Sequence, residues 1–277
     1  MKKFLCIALS VLSLAYMPSI GVGMKNYYAE ESRYSLDFVQ GGNYLGTHHR
    51  EVYYSTKSDK EDMYVNPYKA PSFISSKPNA CAVEAGGNAI VYYDRIFDEL
   101  IPEYKHKYVW GGFTYGTQND AVDNMFVTLY DMMGTDSRGT SIEGFKNGMQ
   151  KYVSSRGRSI NITQATGNYY GVNLDYLKTQ LEAEKVAAVF LDTFSVVTFG
   201  GIEPYDGYDR IIHYAYTGQH VMLVYGYRDI YYYNANGNLK QRDTYLYVST
   251  GYSSAALALL DITHFCNVDD VYILEVV

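Results

Sequence analysis

The sequence predicts an α+β chain, with a helical N-terminal half packed against a C-terminal antiparallel sheet. Three observations carry this. Apolar residues recur at helical spacing in segments between Ala82 and Leu181. Continuous apolar runs of strand length occupy Val186–Leu191 and Val221–Tyr227. A hairpin signal, Asn234-Ala235-Asn236-Gly237-Asn238, follows the second run. Helices first and strands last argue α+β rather than alternating α/β. The 277 residues are 47% hydrophobic and 19% charged, enough for a core and too apolar for a disordered chain. A net charge of −7 argues against a nucleic-acid partner. Tyr is in excess at 32 residues, and its apolar ring with a polar tip suits sheets, clefts and half-wet surfaces.

Met1-Lys2-Lys3, the apolar run Phe4–Met17 and small residues to Gly23 read as a secretory signal peptide, residues 1–23. The run is short for a membrane span, so the expectation is a secreted, extracellular protein with no membrane contact after cleavage. Residues 24–70 are polar and Tyr-rich and read as an N-terminal extension, either an arm packed as a strand or a floppy leader. Residues 71–277 form the main domain. A helix is expected from Ala82 to about Asp98, central and buried. Gly86 and Gly87 inside it each cost roughly 1 kcal/mol against Ala, a cost usually offset by close backbone approach. Asn119–Met133 is a second helix closed by Gly134. Thr140-Ser141-Ile142-Glu143 is a capping box for a third that stops before Gly157. Asn173 caps a fourth with Leu174, Leu177 and Leu181 on one face. Thr244–Val248 and Val271–Val277 complete the strands.

Chemistry centres on the cysteines. Cys6 lies in the signal peptide, which leaves Cys81 and Cys266. Cys266, near a terminal strand, reads as a small buried hydrophobe. Cys81 follows Pro78-Asn79-Ala80 and opens a helix, with Asn79 as its expected cap. Unpaired N–H groups and the helix dipole favour a thiolate there. A nucleophilic thiol needs a base from elsewhere in the fold. His48, His49 and His106 lie among polar residues and read as surface groups. His213 sits in a Tyr-rich segment and His264 beside Cys266. His220 follows Gly218-Gln219 and precedes the apolar strand, which points it at whatever packs on that end of the sheet. Counting across the hairpin sets His220 opposite a position near Tyr252, so a residue that orients the imidazole is sought in Ser249–Tyr252. That stretch holds no carboxylate or carboxamide. Glu203, Asp206 and Asp209 cluster with Tyr205 and Tyr208, and read as a solvated loop ahead of a calcium site.

Asn79-Ala80-Cys81-Ala82-Val83-Glu84-Ala85, followed by Ile90-Val91-Tyr92-Tyr93, resembles the nucleophile helix of papain-like cysteine peptidases. The bacterial branch of bacteriocin-leader-processing peptidases is closest, with streptopain-like enzymes nearby. Gly218-Gln219-His220 through Gly226-Tyr227 is similar to that branch's His strand, and Met133–Tyr152 to its connecting helices. The resemblance runs from about Tyr68 to Val277. It implies a papain-like fold and a secreted peptidase hydrolysing peptide amides, with Cys81 as nucleophile, His220 as base and Ser249 where the family carries Asn or Asp. It implies a peptide or protein substrate, and no cofactor or metal. Two departures are visible: no Gln precedes the cysteine in Phe73-Ile74-Ser75-Ser76-Lys77, and Ser249 carries no charge. A catalytically inactive relative used as a secreted binding or inhibitory module is the alternative. A surface protein with a Cys81–Cys266 bridge is a second.

Overall fold

The computed structural model describes residues 43–58, 63–109, 112–200, 207–252 and 257–277. The expected signal peptide, residues 24–42 and 59–62 of the expected extension, and Glu203 and Asp206 lie outside them. In chain order the elements are β1 (Asn43–Tyr53), β2 (Thr56–Ser58), β3 (Met63–Val65), α1 (Cys81–Asp94), β4 (Lys107–Val109) and β5 (Gly112–Thr114). Then come α2 (Asp120–Met132), α3 (Ile142–Ser155), β6 (Ile160–Gln164), β7 (Thr166–Tyr169) and α4 (Leu174–Glu182). The chain finishes with β8 (Val186–Phe199), β9 (Tyr208–Tyr233), β10 (Leu239–Ser249), β11 (Leu257–Asp261) and β12 (Asn267–Val276).

This corrects the predicted architecture. The molecule is mainly one large antiparallel sheet with four short helices, not a helical half packed against a sheet, and that finding removes the papain-like layout expected from the motifs. The longest helices have 14 residues, whereas β9 alone has 26. β9 organises the sheet. One edge pairs with β8 and then with β3 and β2; the other pairs with β1 and then with β10. Since β10 also pairs with β11, and β11 with β8, strands β8 to β11 close on themselves. β12 and β6 extend the sheet from β8. Within the N-terminal extension, β1, β2 and β3 are hydrogen-bonded along β9, which is an arm packed as strands rather than a floppy leader over these residues.

The helices follow their sequence signals closely. α2 starts at the Asn119 cap, whose side chain accepts the Val122 N–H, and α4 starts at the Asn173 cap, which accepts from Tyr176. α3 is capped one residue later than expected: Ser141 accepts the Gly144 N–H, while the Thr140 hydroxyl pairs with Thr135. α1 ends at Asp94 rather than near Asp98, so Ile96 is left exposed. Every residue of α1 is buried. The cost of its two glycines is explained by their neighbours: a Cβ on Gly86 would stand 2.7 Å from Met149 Sδ, and one on Gly87 would collide with the Phe126 ring. α2 and α3 thus press directly on the α1 backbone. Full burial of Phe126, Phe145, Met149 and Ile90 contributes about 1.5–3 kcal/mol each. Tyrosine tips fasten the layers, with Tyr93 Oη donating to the Leu274 carbonyl at 2.6 Å and Tyr152 Oη to that of Leu100 at 2.9 Å.

Candidate functional site

α1 begins at Cys81, and its N-cap position is Ala80, with no side-chain cap. Asn79 does not take that role. It sits in the left-handed region at φ 56 and its side chain donates to the Ser137 carbonyl. The first-turn N–H groups therefore have no capping oxygen from Asn79 or Ala80, and the Cys81 thiol, itself buried, stands at the positive end of the helix dipole. Cys81 and Cys266 are not bridged, which removes the reading that needed that disulfide. Burial pushes the Cys266 thiol up, with Asp261 adding to the shift.

His220 lies on β9 opposite Leu191 of β8 and is 1% exposed. The hairpin register is the expected one: Ser249 pairs with Leu223, and the ring of Tyr252 stacks on the imidazole at 4.6 Å with 3° between planes. Phe194 covers it at 5.4 Å. Nε2 lies 2.7 Å from the Thr250 carbonyl oxygen. A carbonyl only accepts, so Nε2 carries the proton and the lone pair resides on Nδ1. Nδ1 is buried and has no hydrogen-bond partner among the described residues. Burial pushes the pKa down to about 4, partly opposed by the bond to Thr250, so the ring is neutral at physiological pH.

The structure does not bring the expected Cys81–His220 pair together. Cys81 shares its apolar cluster with Val221 and Leu223 of β9, whereas Phe194 and Tyr252, which flank the His220 ring, belong to the cluster with Met222 and Val224 on the other face of that strand. No hydrogen bond joins the thiol to Nδ1. Ser249 does not orient the ring. Its hydroxyl is buried without a partner among the described residues, and the carbonyl of the next residue accepts the imidazole proton instead. Glu84, one turn along α1, closes the site. Oε1 accepts the Ser75 N–H at 3.0 Å, and Oε2 lies against Gly251. Burial pushes this carboxyl up to about 7, against the Ser75 bond. Sequence reasoning missed Glu84 and Thr250. The signal for the first was an acid inside an otherwise apolar helix; a main-chain acceptor leaves no side-chain signal.

The remaining histidines are elsewhere. His48 and His49 are half-buried on β1, and His106 Nε2 meets Asp94 at 3.0 Å rather than standing on the surface. His213 and His264 belong to a buried charged cluster with Arg50, Asp243 and Asp261. Of the acidic group read as a loop, Asp209 is described, and it pairs with Lys57 at 2.8 Å and accepts from Tyr232. A cleft of about 430 Å³ beside Tyr169, Asn173 and Arg242 lies away from both Cys81 and His220. Among the described residues no helix is long and apolar enough to cross a membrane. Neither a protein-family model, nor a curated protein, nor a solved structure matches the chain.

Proposed function

We propose that the protein is an exported cysteine hydrolase that cleaves peptide amide bonds, with Cys81 as nucleophile and His220 as general base. One observation carries the reading: a buried, neutral imidazole whose proton is committed to the Thr250 carbonyl, leaving the Nδ1 lone pair unclaimed. A base must be neutral and oriented by a third group, and His220 meets both requirements. In this reading Nδ1 takes the Cys81 proton, and the thiolate attacks the carbonyl carbon. First-turn N–H groups of α1 receive the developing oxyanion. His220 protonates the departing amine, then activates water to hydrolyse the thioester. Burial of His220 favours a second reading, a sealed scaffold that binds a partner without turning it over.

Incubation with a mixed peptide library, read by mass spectrometry, separates the two. The hydrolase reading expects new termini that disappear in Cys81→Ala and in His220→Ala. Intact peptides with the wild-type chain, or identical cleavage with Cys81→Ala, contradict it.

A further inference from the structure

Glu84 is 2% exposed and has no Lys, Arg or His within ion-pair distance among the described residues. A carboxyl buried without a cation is costly, so its contacts are informative. It touches two segments distant in the sequence. Oε1 holds the Ser75 N–H of the loop entering α1, and Ser75 Oγ in turn accepts from Lys77 N–H. Oε2 packs on Gly251, where an added Cβ would stand 2.8 Å away. Gly251 also has φ +75, a second reason for glycine. The preceding residue is Thr250, whose carbonyl fixes the His220 proton and whose Oγ1 accepts the N–H of Tyr252, the ring stacked on His220.

We propose that Glu84 is a positioning residue: its carboxyl clamps the Ser75 loop to the Thr250–Gly251 turn and so fixes the carbonyl that selects the His220 tautomer. The inference rests on the reading of Cys81 and His220 as nucleophile and base. Because Glu84 is three residues from Cys81 on one helix, their side chains are neighbours. Its ionisation is therefore expected to be felt by the thiol.

The test compares Glu84→Ala and Glu84→Gln with the wild-type full chain, using ¹⁵N resonances of the His220 ring and the pH profile of Cys81 alkylation by iodoacetamide. Glu84→Ala is expected to mix the two neutral tautomers and to slow alkylation on the order of tenfold or more through misplacement of the base. Glu84→Gln keeps the acceptor for Ser75. It is expected to keep the Nε2–H tautomer while erasing an inflection near pH 7 in the profile. An unchanged tautomer in folded Glu84→Ala overturns the proposal. Should that variant fail to fold, Gly251→Ala, which drives a methyl group onto Oε2, is expected to mix the tautomers, and a single one there overturns it equally. A tautomer that follows Glu84 in a chain whose Cys81 shows no dependence on His220 supports the positioning role and rejects only the hydrolase reading.

Discussion

His213 and His220 lie on the same strand, and burial pushes both imidazoles down to about 4, yet their surroundings are opposite. His213 sits among charges. Arg50 Nε donates to its Nε2 at 3.4 Å, so its proton is on Nδ1, 3.1 Å from Ser195 Oγ. Asp261 lies 3.8 Å from it, and Arg50 Nη2 reaches Asp243 at 2.7 Å and Tyr245 at 3.0 Å. Burial opposes ionisation of Asp261, but His264, His213 and Arg50 hold its carboxyl below the usual range. His220 sits among rings, and the opposite nitrogen carries the proton. Equal burial thus gives two neutral histidines with different chemistry. The lone pair of His213 is taken by a guanidinium; that of His220 has no partner among the described residues.

The comparison is sharpest in the chemistry. His220→Ala is expected to lower peptide hydrolysis by about 10²–10⁴-fold, the usual worth of a general base. His213→Ala is expected to leave the hydrolysis rate per folded molecule unchanged while lowering the urea midpoint. Equal rate losses in the two variants would erase the distinction.

The next largest effect lies in the charged cluster. Arg50→Ala leaves two fully buried carboxylates without their cation, an expected loss of about 3–5 kcal/mol in urea unfolding. The exposed Arg138–Asp136 pair is the control, where Arg138→Ala should leave the urea midpoint essentially unchanged. Similar losses at both positions would show that burial of the cluster contributes nothing.

Both histidines make folding pH-dependent in the same direction. Their pKa is about 4 when folded against about 6.5 for an unperturbed imidazole, so between these values the unfolded chain binds more protons. Stability is complete above pH 6.5 and falls as pH drops toward 4, by roughly 3 kcal/mol for each histidine. His213→Gln and His220→Gln should each remove part of this slope. A double variant with the wild-type slope would assign it to other groups.

How much was legible follows the same division. Caps and apolar spacing gave α2, α3 and α4, because Asn119 and Asn173 act through local hydrogen bonds that a sequence displays. The hairpin register, and with it the approach of Tyr252 to His220, came from the Asn-Gly turn alone. The sheet's extent did not come through. β1 carries His48, His49 and Arg50, and the buried face of β9 before its apolar run includes His213, so polar residues serving the buried cluster break the alternation that marks a strand. Tyrosine obscures the pattern further, since one ring serves both buried and half-exposed faces. Ser249 is the position where the resembled family carries Asn or Asp, whereas the acceptor is a backbone oxygen.

The smallest effect concerns that residue. Ser249 Oγ is buried without a partner among the described residues, so Ser249→Ala is expected to change unfolding free energy by less than about 1 kcal/mol, toward higher stability. A large loss would mean that the hydroxyl has a partner in solution.

The most direct measurement is the rate of Cys81 alkylation against pH in the folded chain, with and without His220. The account expects Cys81 to react well below the ordinary thiol range of about 8.5, and to lose that advantage in His220→Ala. A thiol that titrates in the ordinary range, or stays unreactive, identically in both proteins would contradict it.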